Sequence, residues 1–312
     1  MNIRLRYGRA VALPRRRSLH RREAIVAYLF ALPWLLNLVL FNAYPIGAAI
    51  YYSFTEYAIL KSPQWIGFEN YHVMLTEDER FWKAVYNSFY YSFFSVPLGL
   101  GIALGLALLL NQRLRAIGFF RTTFYLPSIV PTVAASIIWL WILNPEFGLV
   151  NTLLELVGVG GPPWLTDEDW SKPAYILMSL WGIGPSTIIF LAGLQDIPPH
   201  LYEAAAIDGA NAWQRLWNVT LPMLTPTIFF NLVMGIIGSL QVFTQVFIMS
   251  RGGPLDSTLF YVLYLYIQGF QFFHMGYASA LAILLFLAIL VLTLLVLSSS
   301  RRWVYYEAQE RS

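Results

Sequence analysis

The stretch LYEAAAIDGANAWQRLWNVTLP, residues 201–222, carries the most distinctive arrangement of polar residues in the chain. Glu203 stands before three consecutive alanines, and Asp208 stands before Gly209. Alanines give a helix a thin surface that another protein can approach closely, and Glu203 is the one charge among them. Both features suit a helix docked in a groove of a soluble partner. The alternative is a surface loop that only joins two hydrophobic segments and lies on the lipid headgroups.

Catalytic and metal-binding chemistry has little support in this sequence. The absence of cysteine excludes disulfides and thiolate metal sites. The acidic run Asp167–Asp169 is typical of a solvated loop. No G-x-x-x-x-G-K-[ST] motif is present, so ATP hydrolysis would require another chain. Four histidines lack ligand spacing and a neighbouring carboxylate cluster: His20, His72, His200 and His274. We therefore expect no catalytic residue, cofactor or metal in this chain.

The docking stretch predicts two short helices separated by a glycine. A proline pair precedes residues 200–208, and proline fits the first turn of a helix. Gly209 is suited to the left-handed cap that ends such a helix. Asn211 can cap a second helix, with Gln214 in the capping-box position. The second helix has one aromatic face, formed by Trp213, Leu216 and Trp217.

The segments on both sides of this stretch have the length and composition of membrane spans. The chain is 58% hydrophobic and 12% charged, against about 25% charged in a soluble domain. Long uncharged apolar segments predict six spans: 25–52, 84–110, 122–143, 173–194, 221–249 and 276–299. None contains an ionisable Asp, Glu, Lys, Arg or His. Pro33 and Pro45 predict a kink or an interfacial extension in the first span.

The charges of the connecting segments predict an orientation. Segments 1–24, 111–121, 195–220 and 300–312 hold 15 of the 20 Lys and Arg residues but only 6 of the 17 acids. The positive-inside rule places these segments in the cytoplasm. We therefore expect a basic cytoplasmic leader at 1–24, a transmembrane domain at 25–300, a cytoplasmic tail at 301–312 and a cytoplasmic loop at 195–220.

Glu203-Ala204-Ala205, Asp208-Gly209-Ala210 and Leu221-Pro222 together resemble the EAA loop of bacterial ABC-importer permeases. Val219 takes the hydrophobic position of that pattern, and Leu216 stands where phenylalanine is common. Residues 65–71, 119–151 and 249–266 resemble the sugar-importing branch, closest to the maltose- and glycerol-phosphate-type permeases.

The resemblance implies an all-α integral membrane protein with six transmembrane helices, the type I ABC importer permease fold and a cytoplasmic EAA coupling helix. It implies a place in the bacterial inner membrane, a second homologous permease subunit, two ATP-binding subunits that carry ATP and Mg²⁺, and an extracytoplasmic sugar-binding protein. It also assigns coupling to an ATPase subunit to Glu203, Ala204, Ala205, Asp208 and Gly209.

Polar residues in the fifth predicted span are candidates for a substrate pathway, because polar residues in a span usually face a cavity or the protein interior. They are Asn231, Ser239, Gln241, Thr244 and Gln245, with Phe243 nearby. Gln241 and Gln245 are expected on one helix face, and hydrogen bonding between helices is the alternative role. Trp181 and Ser186 are weaker pathway candidates. Close helix packing is expected at Gly99, Gly101 and Gly105.

Three other classes of function compete with an ATP-driven importer. A secondary carrier usually has an ionisable group near the bilayer centre, and the predicted spans have none, although backbone carbonyls alone can bind sodium. A membrane enzyme needs a nucleophile–base pair or a metal cluster. A bare scaffold does not explain the docking stretch. The sequence does not identify the sugar or polyol.

Overall fold

The computed structural model describes residues 16–112 and 116–305, which are mostly helical. The chain divides into two compact units, one ending at Tyr51 and the other beginning at Tyr52. Most of the predicted leader and the end of the predicted tail, residues 1–15 and 306–312, lie outside the described residues.

The described part of the first unit, from residue 16 onward, is one run of helix. Its segments are α1 (Arg16–Asn37), a π-helical turn (Leu38–Ala43) and α2 (Tyr44–Ser53), whose last residues belong to the second unit. The π-helical turn follows Pro33 and ends just before Pro45. This irregularity lies where the two prolines predict one, since a proline removes a helical hydrogen bond.

The second unit begins with a small antiparallel hairpin, β1 (Thr55–Glu56) and β2 (Gln64–Trp65). Its helices up to residue 196 are α3 (Glu69–Thr76), α4 (Glu79–Leu110), α5 (Ile117–Tyr125) with a 3₁₀ turn (Leu126–Ile129), α6 (Thr132–Ile142), α7 (Leu149–Leu156), α8 (Glu168–Trp181) and α9 (Gly184–Asp196). They are followed by α10 (Pro199–Ile207), α11 (Ala212–Arg215) with a π-helical turn (Leu216–Thr220), α12 (Leu221–Leu240), α13 (Thr244–Met249), α14 (Tyr261–Tyr266) with a π-helical turn (Ile267–Gln271), and α15 (Met275–Ser300).

Four helical stretches of the described chain are long and apolar enough to cross a membrane: Glu23–Ser53, Glu79–Leu110, Ala212–Met249 and Met275–Ser300. Two further stretches qualify as bent pairs, with bends of 99° between α5 and α6 and 47° between α8 and α9. If each pair is one span, the total is six. On that count, the six stretches follow the order of the six predicted spans.

The third predicted span, 122–143, is sharply bent rather than straight. Val130 has the extended ψ of 125° that a following proline favours, and Pro131 precedes the first turn of α6. Hydropathy does not detect this bend, because the residues on both sides of it are apolar.

Asp167 has a structural role that the prediction of a solvated acidic loop missed. Its side chain accepts hydrogen bonds from the backbone N–H groups of Asp169 and Trp170 at 2.9 and 3.3 Å, which caps α8. Glu168 and Asp169 occupy the first turn of that helix. Carboxylates are favourable there because they complement the helix dipole.

Two groups of buried apolar side chains form the interior of the second unit. The larger group draws on α4, α6, α8, α13, α14 and α15. The smaller group, which we call the inner cluster, contains Ala103, Ala107, Leu110, Phe190, Leu191, Leu194, Ile197 and Leu224. Helix α4 contributes to both groups. The inner cluster lies at the ends of α4 and α9 and at the start of α12, on either side of residues 198–220.

The three glycines of α4 that were predicted to allow close helix packing do not do so in the structure. A Cβ on Gly101 or Gly105 would meet nothing within 4 Å, and one on Gly99 would make an ordinary 3.7 Å contact. Close approach instead involves Gly193, where a Cβ would lie 2.6 Å from Thr227 Oγ1, and Gly235, where it would lie 3.2 Å from Val96. Composition alone does not reveal which glycine faces a neighbouring helix.

Candidate functional site

Helix α10 has well-defined ends that follow from its sequence. Pro199 occupies the first turn, where its missing N–H is not needed. At the other end, Gly209 has φ of +77°, and the N–H groups of Gly209 and Ala210 donate to the carbonyls of Ala206 and Ala205 at 3.1 and 2.9 Å. These two bonds form a Schellman motif, the termination that the position of Gly209 predicts.

The second short helix begins with the predicted capping box. Asn211 Oδ1 accepts from the Gln214 N–H at 2.9 Å, and Gln214 Oε1 accepts from the Asn211 N–H at 2.8 Å. Trp213 and Trp217 pack edge to face, with ring centroids 5.6 Å apart. Both rings are more than half exposed. The predicted aromatic face therefore points away from the chain's own interior.

Helix α10 is anchored to the rest of the chain by one of its faces. Leu201 and Tyr202 pack against the inner cluster. The Tyr202 hydroxyl lies 3.0 Å from Oγ1 of the buried Thr220, and Thr220 also donates to the Arg215 carbonyl at 3.3 Å. Because of these contacts, α10 is joined directly to the segment that leads into α12.

The opposite face of α10 is exposed. Glu203, Ala204, Asp208 and Gly209 are exposed, whereas Ala205 is half-buried. Ile207, which was not among the predicted coupling residues, is 86% exposed. Ile207 follows Glu203 by four residues and Ala204 by three, so helical spacing places the three side chains on one face. The sequence could therefore have identified Ile207 as part of this surface. Together these residues form a thin, mixed apolar and acidic surface, which we call the α10 outer face.

A second candidate site is a cavity of about 480 Å³ between α4, α6, α8, α9 and α12. Aromatic, hydroxyl and amide groups line it, including Tyr91, Ser95, Ser128, Thr132, Tyr175, Ser179, Trp181, Ser186, Asn231, Ser239 and Gln245. No charged side chain is among its lining residues, all of which belong to the described part of the chain. Aromatic faces and uncharged hydrogen-bonding groups are the chemistry that a neutral polyhydroxylated molecule requires.

The structure brings three of the predicted pathway residues to this cavity. Asn231, Ser239 and Gln245 line it, and so do the weaker candidates Trp181 and Ser186. Asn231 is buried and donates to the Thr227 carbonyl at 3.0 Å. Ser239 also forms a 2.6 Å hydrogen bond with Ser92 of α4, so it has the interhelical bonding role that was its alternative.

Three predicted pathway residues do not line the cavity: Gln241, Phe243 and Thr244. Gln241 and Gln245 do not share a helix face, because α12 ends at Leu240 and α13 begins at Thr244. Gln241 is exposed. Phe243 instead packs on Phe247 and Tyr266, with ring centroids 5.3 and 5.1 Å away. The spacing argument assumed a continuous helix, and the break at residues 241–243 removes its basis.

Several cavity residues were missed by the sequence reasoning. Tyr91 and Ser95 are four residues apart on α4, and Tyr175 and Ser179 are four residues apart on α8. Polar groups that repeat at this interval within an apolar helix indicate that one face of the helix contacts a water-filled cavity or the protein interior. That signal was available in both predicted spans.

Metal-binding geometry is absent from the described residues. No group of three or more His, Asp or Glu side chains in residues 16–112 and 116–305 is placed to hold an ion. His72 lies 3.9 Å from Glu77, and Nδ1 of His274 lies 3.1 Å from Gln268 Oε1. Each of these two histidines therefore has one polar neighbour of its own and lies at the surface of the protein.

The arrangement of bent apolar helices around an uncharged cavity, together with the partly exposed short helix α10, is that of a transport protein. A family model described as "Binding-protein-dependent transport system inner membrane component" matches residues 95–305. The chain belongs to this family, as a multi-pass permease of the carbohydrate-importing ABC transporters. The family is one of transport proteins rather than of catalysts.

Relatives extend the similarity over nearly the whole chain. The probable ABC transporter permease protein YesP of Bacillus subtilis is 42% identical, over 96% of this chain and 98% of that protein. The lactose transport system permease protein LacF of Rhizobium radiobacter is 36% identical, over 96% and 100%. The sulfoquinovosyl glycerol transport system permease protein SmoG of Agrobacterium fabrum is 34% identical, over 88% and 90%.

Solved structures agree with these relatives. The crystal structure of a bacterial ABC transporter involved in the import of the acidic polysaccharide alginate matches with a TM-score of 0.80 and 29% identity, covering 92% of this chain and 99% of that chain. A second crystal structure, of the alginate transporter in complex with an alginate pentasaccharide-bound periplasmic protein, matches with a TM-score of 0.79 and 28% identity, covering 92% and 96%.

Proposed function

We propose that this chain forms half of the translocation pathway of an ATP-driven sugar importer and couples it to ATP hydrolysis through α10. A second, homologous permease supplies the other half of the pathway. Two ATP-binding subunits carry ATP and Mg²⁺, and an extracytoplasmic binding protein delivers the sugar. The observation that carries the proposal is the two-sided character of α10: one face is anchored in the inner cluster, and the other is exposed.

The anchoring explains how force applied to α10 reaches the membrane helices. An ATPase groove that holds the α10 outer face moves the helix as it closes. Tyr202 and Thr220 pass that movement to the start of α12, which lines the cavity further along. The cavity is thereby exposed alternately to each side of the membrane. A ligand biases this equilibrium only through its different affinities for the two states.

The lining of the cavity supports a neutral sugar or polyol as the substrate. Its polar groups are hydroxyls and amides, and Trp181 and two tyrosines provide aromatic faces. An acidic or phosphorylated substrate would need basic groups along its route, which only the second permease could then provide. The charge asymmetry of the connecting segments supports a cytoplasmic location for α10 and for both termini.

A secondary carrier remains the competing function, and one experiment separates the two. The complete complex, reconstituted in lipid with its binding protein, is assayed for ATP hydrolysis and uptake across a panel of sugars. Glu203→Ala is compared with Glu155→Ala, which removes an exposed acid from α7. We expect one sugar to stimulate ATP hydrolysis, Glu203→Ala to abolish sugar-dependent stimulation and uptake, and Glu155→Ala to preserve both. Uptake that requires no ATPase and is unchanged in Glu203→Ala would support the carrier instead.

A further inference from the structure

The segment that follows α13, residues 250–259, has an unusual backbone. Three residues with side chains lie in the left-handed region: Arg251 at φ +52°, Leu255 at +43° and Asp256 at +57°. Side chains with a Cβ disfavour this region, and leucine does so strongly. Such conformations persist where the surrounding structure over-determines them, and they concentrate at functional positions. We call this segment the 250–259 loop.

Helix α4 holds the loop with a bidentate ion pair. Arg80 Nε and Nη2 donate to the two carboxylate oxygens of Asp256 at 2.9 and 2.8 Å. The Asp256 carboxylate accepts both of these hydrogen bonds, so it stabilises the charged guanidinium of Arg80. Asn87 adds a 2.8 Å hydrogen bond to the Asp256 carbonyl. Bidentate Arg–carboxylate pairs fix orientation as well as distance.

Helix α8 holds the next residue of the loop from another side. The Ser171 and Ser257 hydroxyls lie 2.9 Å apart, and both side chains are buried. Lys172 Nζ donates to the Ser257 carbonyl at 3.3 Å. Consecutive residues of the loop are therefore fixed to two different membrane-spanning segments, so the loop follows the movement of both.

The loop in turn contacts the wall of the cavity. Tyr175, which lines the cavity, donates its hydroxyl hydrogen to Ser250 Oγ at 2.8 Å. Ser250 is 2.6 Å from Thr258 Oγ1, and Thr258 donates to the Gly253 carbonyl at 2.7 Å. These bonds link the cavity wall to both ends of the loop. A change at the Arg80–Asp256 pair can reach the cavity along this chain of contacts.

We propose that Arg80 is a positioning residue for transport: by holding Asp256 it fixes the 250–259 loop, and the loop fixes Tyr175 at the wall of the sugar cavity. The proposal rests on the proposed function, because it assigns the cavity to the transported sugar. Arg80 itself lies at the start of α4 and is not among the residues that line the cavity. Its effect on the pathway is therefore indirect.

The first test measures uptake by the complete reconstituted transporter as a function of binding-protein concentration. We expect Arg80→Gln to lower the maximal rate of uptake about two- to fivefold, the range that a partly exposed ion pair can supply. The concentration of binding protein that gives half-maximal uptake stays the same. The charge-swapped double variant, Arg80→Asp with Asp256→Arg, recovers most of the rate. Lys61→Gln is the control, because it removes an exposed positive charge outside the loop.

The second test does not depend on transport. The chain has no cysteine, so Ser179→Cys places a single thiol in the cavity lining, one helical turn from Tyr175. We expect Arg80→Gln to change the rate at which a water-soluble maleimide labels this thiol by at least about twofold, and Lys61→Gln to leave it unchanged.

Different outcomes reject different parts of the argument. An unchanged maximal rate with a raised half-maximal binding-protein concentration would overturn the positioning role and make the loop a docking surface. Failure of the charge-swapped variant to recover uptake would reject the ion pair as the cause. A labelling rate that is the same in Arg80→Gln as in the wild type would show that the loop does not influence the cavity. If the wild-type complex shows no ATP-dependent uptake while the labelling result holds, the proposed function fails and the positioning of Tyr175 stands.

Discussion

Gly193 provides the sharpest test of how the helices pack beside α10. It lies on α9, where that helix crosses α12. A Cβ at this position would lie 2.6 Å from Thr227 Oγ1, 3.0 Å from Leu224 Cδ2 and 3.3 Å from Thr227 Cβ. Threonine is restricted in its rotamers because it is branched at Cβ, and Leu224 is completely buried. Gly193→Ala therefore requires one helix to move away from the other.

Two opposing effects set the size of the change. Overpacking a well-packed interior costs about 1–3 kcal/mol. Replacing a glycine within a helix by alanine returns about 0.5–1 kcal/mol. The expected net result is a loss of about 1 kcal/mol of unfolding free energy, with the overpacking term dominant. The matched control is Gly101→Ala in α4, where the new Cβ meets nothing within 4 Å. For the control, only the favourable helix term remains.

The assay is thermal unfolding of the purified complex in lipid, followed for wild type, Gly193→Ala and Gly101→Ala. A loss of about 1 kcal/mol lowers the midpoint by about 1–2 °C in a chain of 312 residues, because the entropy of unfolding grows with chain length. Thr227→Ala removes the contacting hydroxyl and is expected to restore most of the loss in the double variant, as coupled neighbours do. A Gly193→Ala midpoint at or above that of Gly101→Ala would refute the close packing of α9 on α12.

Three further predictions concern α10, the helix after it and the ion pair of the 250–259 loop. Gly209→Ala places a side chain at φ +77° and is expected to cost about 1–2 kcal/mol locally, seen as faster amide exchange over residues 205–210; Gly238→Ala, which meets nothing within 4 Å, should show no such change. Asn211→Ala removes the capping box and should destabilise the following helix by about 0.5–2 kcal/mol, with faster exchange at the Gln214 amide, whereas alanine at the exposed Asn218 should not. Arg80 keeps its positive charge well above neutral pH, because an arginine side chain loses its proton only under strongly alkaline conditions. The ratio of wild-type to Arg80→Gln uptake should therefore stay constant from about pH 7 to about pH 10, and a fall in that ratio within this range would contradict a role for the charge of Arg80.

The sequence predicted the local elements of the candidate docking site well. The proline pair, Gly209 and the Asn211–Gln214 capping box lie at the ends of α10 and α11, as their types and spacing indicate. These signals are local, because each depends on backbone geometry within a few residues. The resemblance of residues 203–222 to a known loop added a role for Glu203 that remains a proposal.

The sequence predicted the cavity only in part. Asn231, Ser239 and Gln245 line it. Gln241 does not, because the helix breaks between Gln241 and Gln245. Tyr91 and Tyr175 were not identified. Polarity marks a residue as unsuited to lipid. It does not show whether the residue faces a cavity, another helix or a break in its own helix.

The sequence by itself determined the number and order of the apolar segments, the uneven distribution of charge between the connecting segments, and the ends of the short helices. Each of these follows from hydropathy, charge or local backbone preference. Only the tertiary structure decided that Gly193, rather than Gly101, permits close packing, and that Arg80 reaches Asp256, 176 residues away. Periodicity shows which residues share one face of a helix. Which faces meet depends on bends such as those at residues 130–131 and 241–243, and on the simultaneous packing of all the helices.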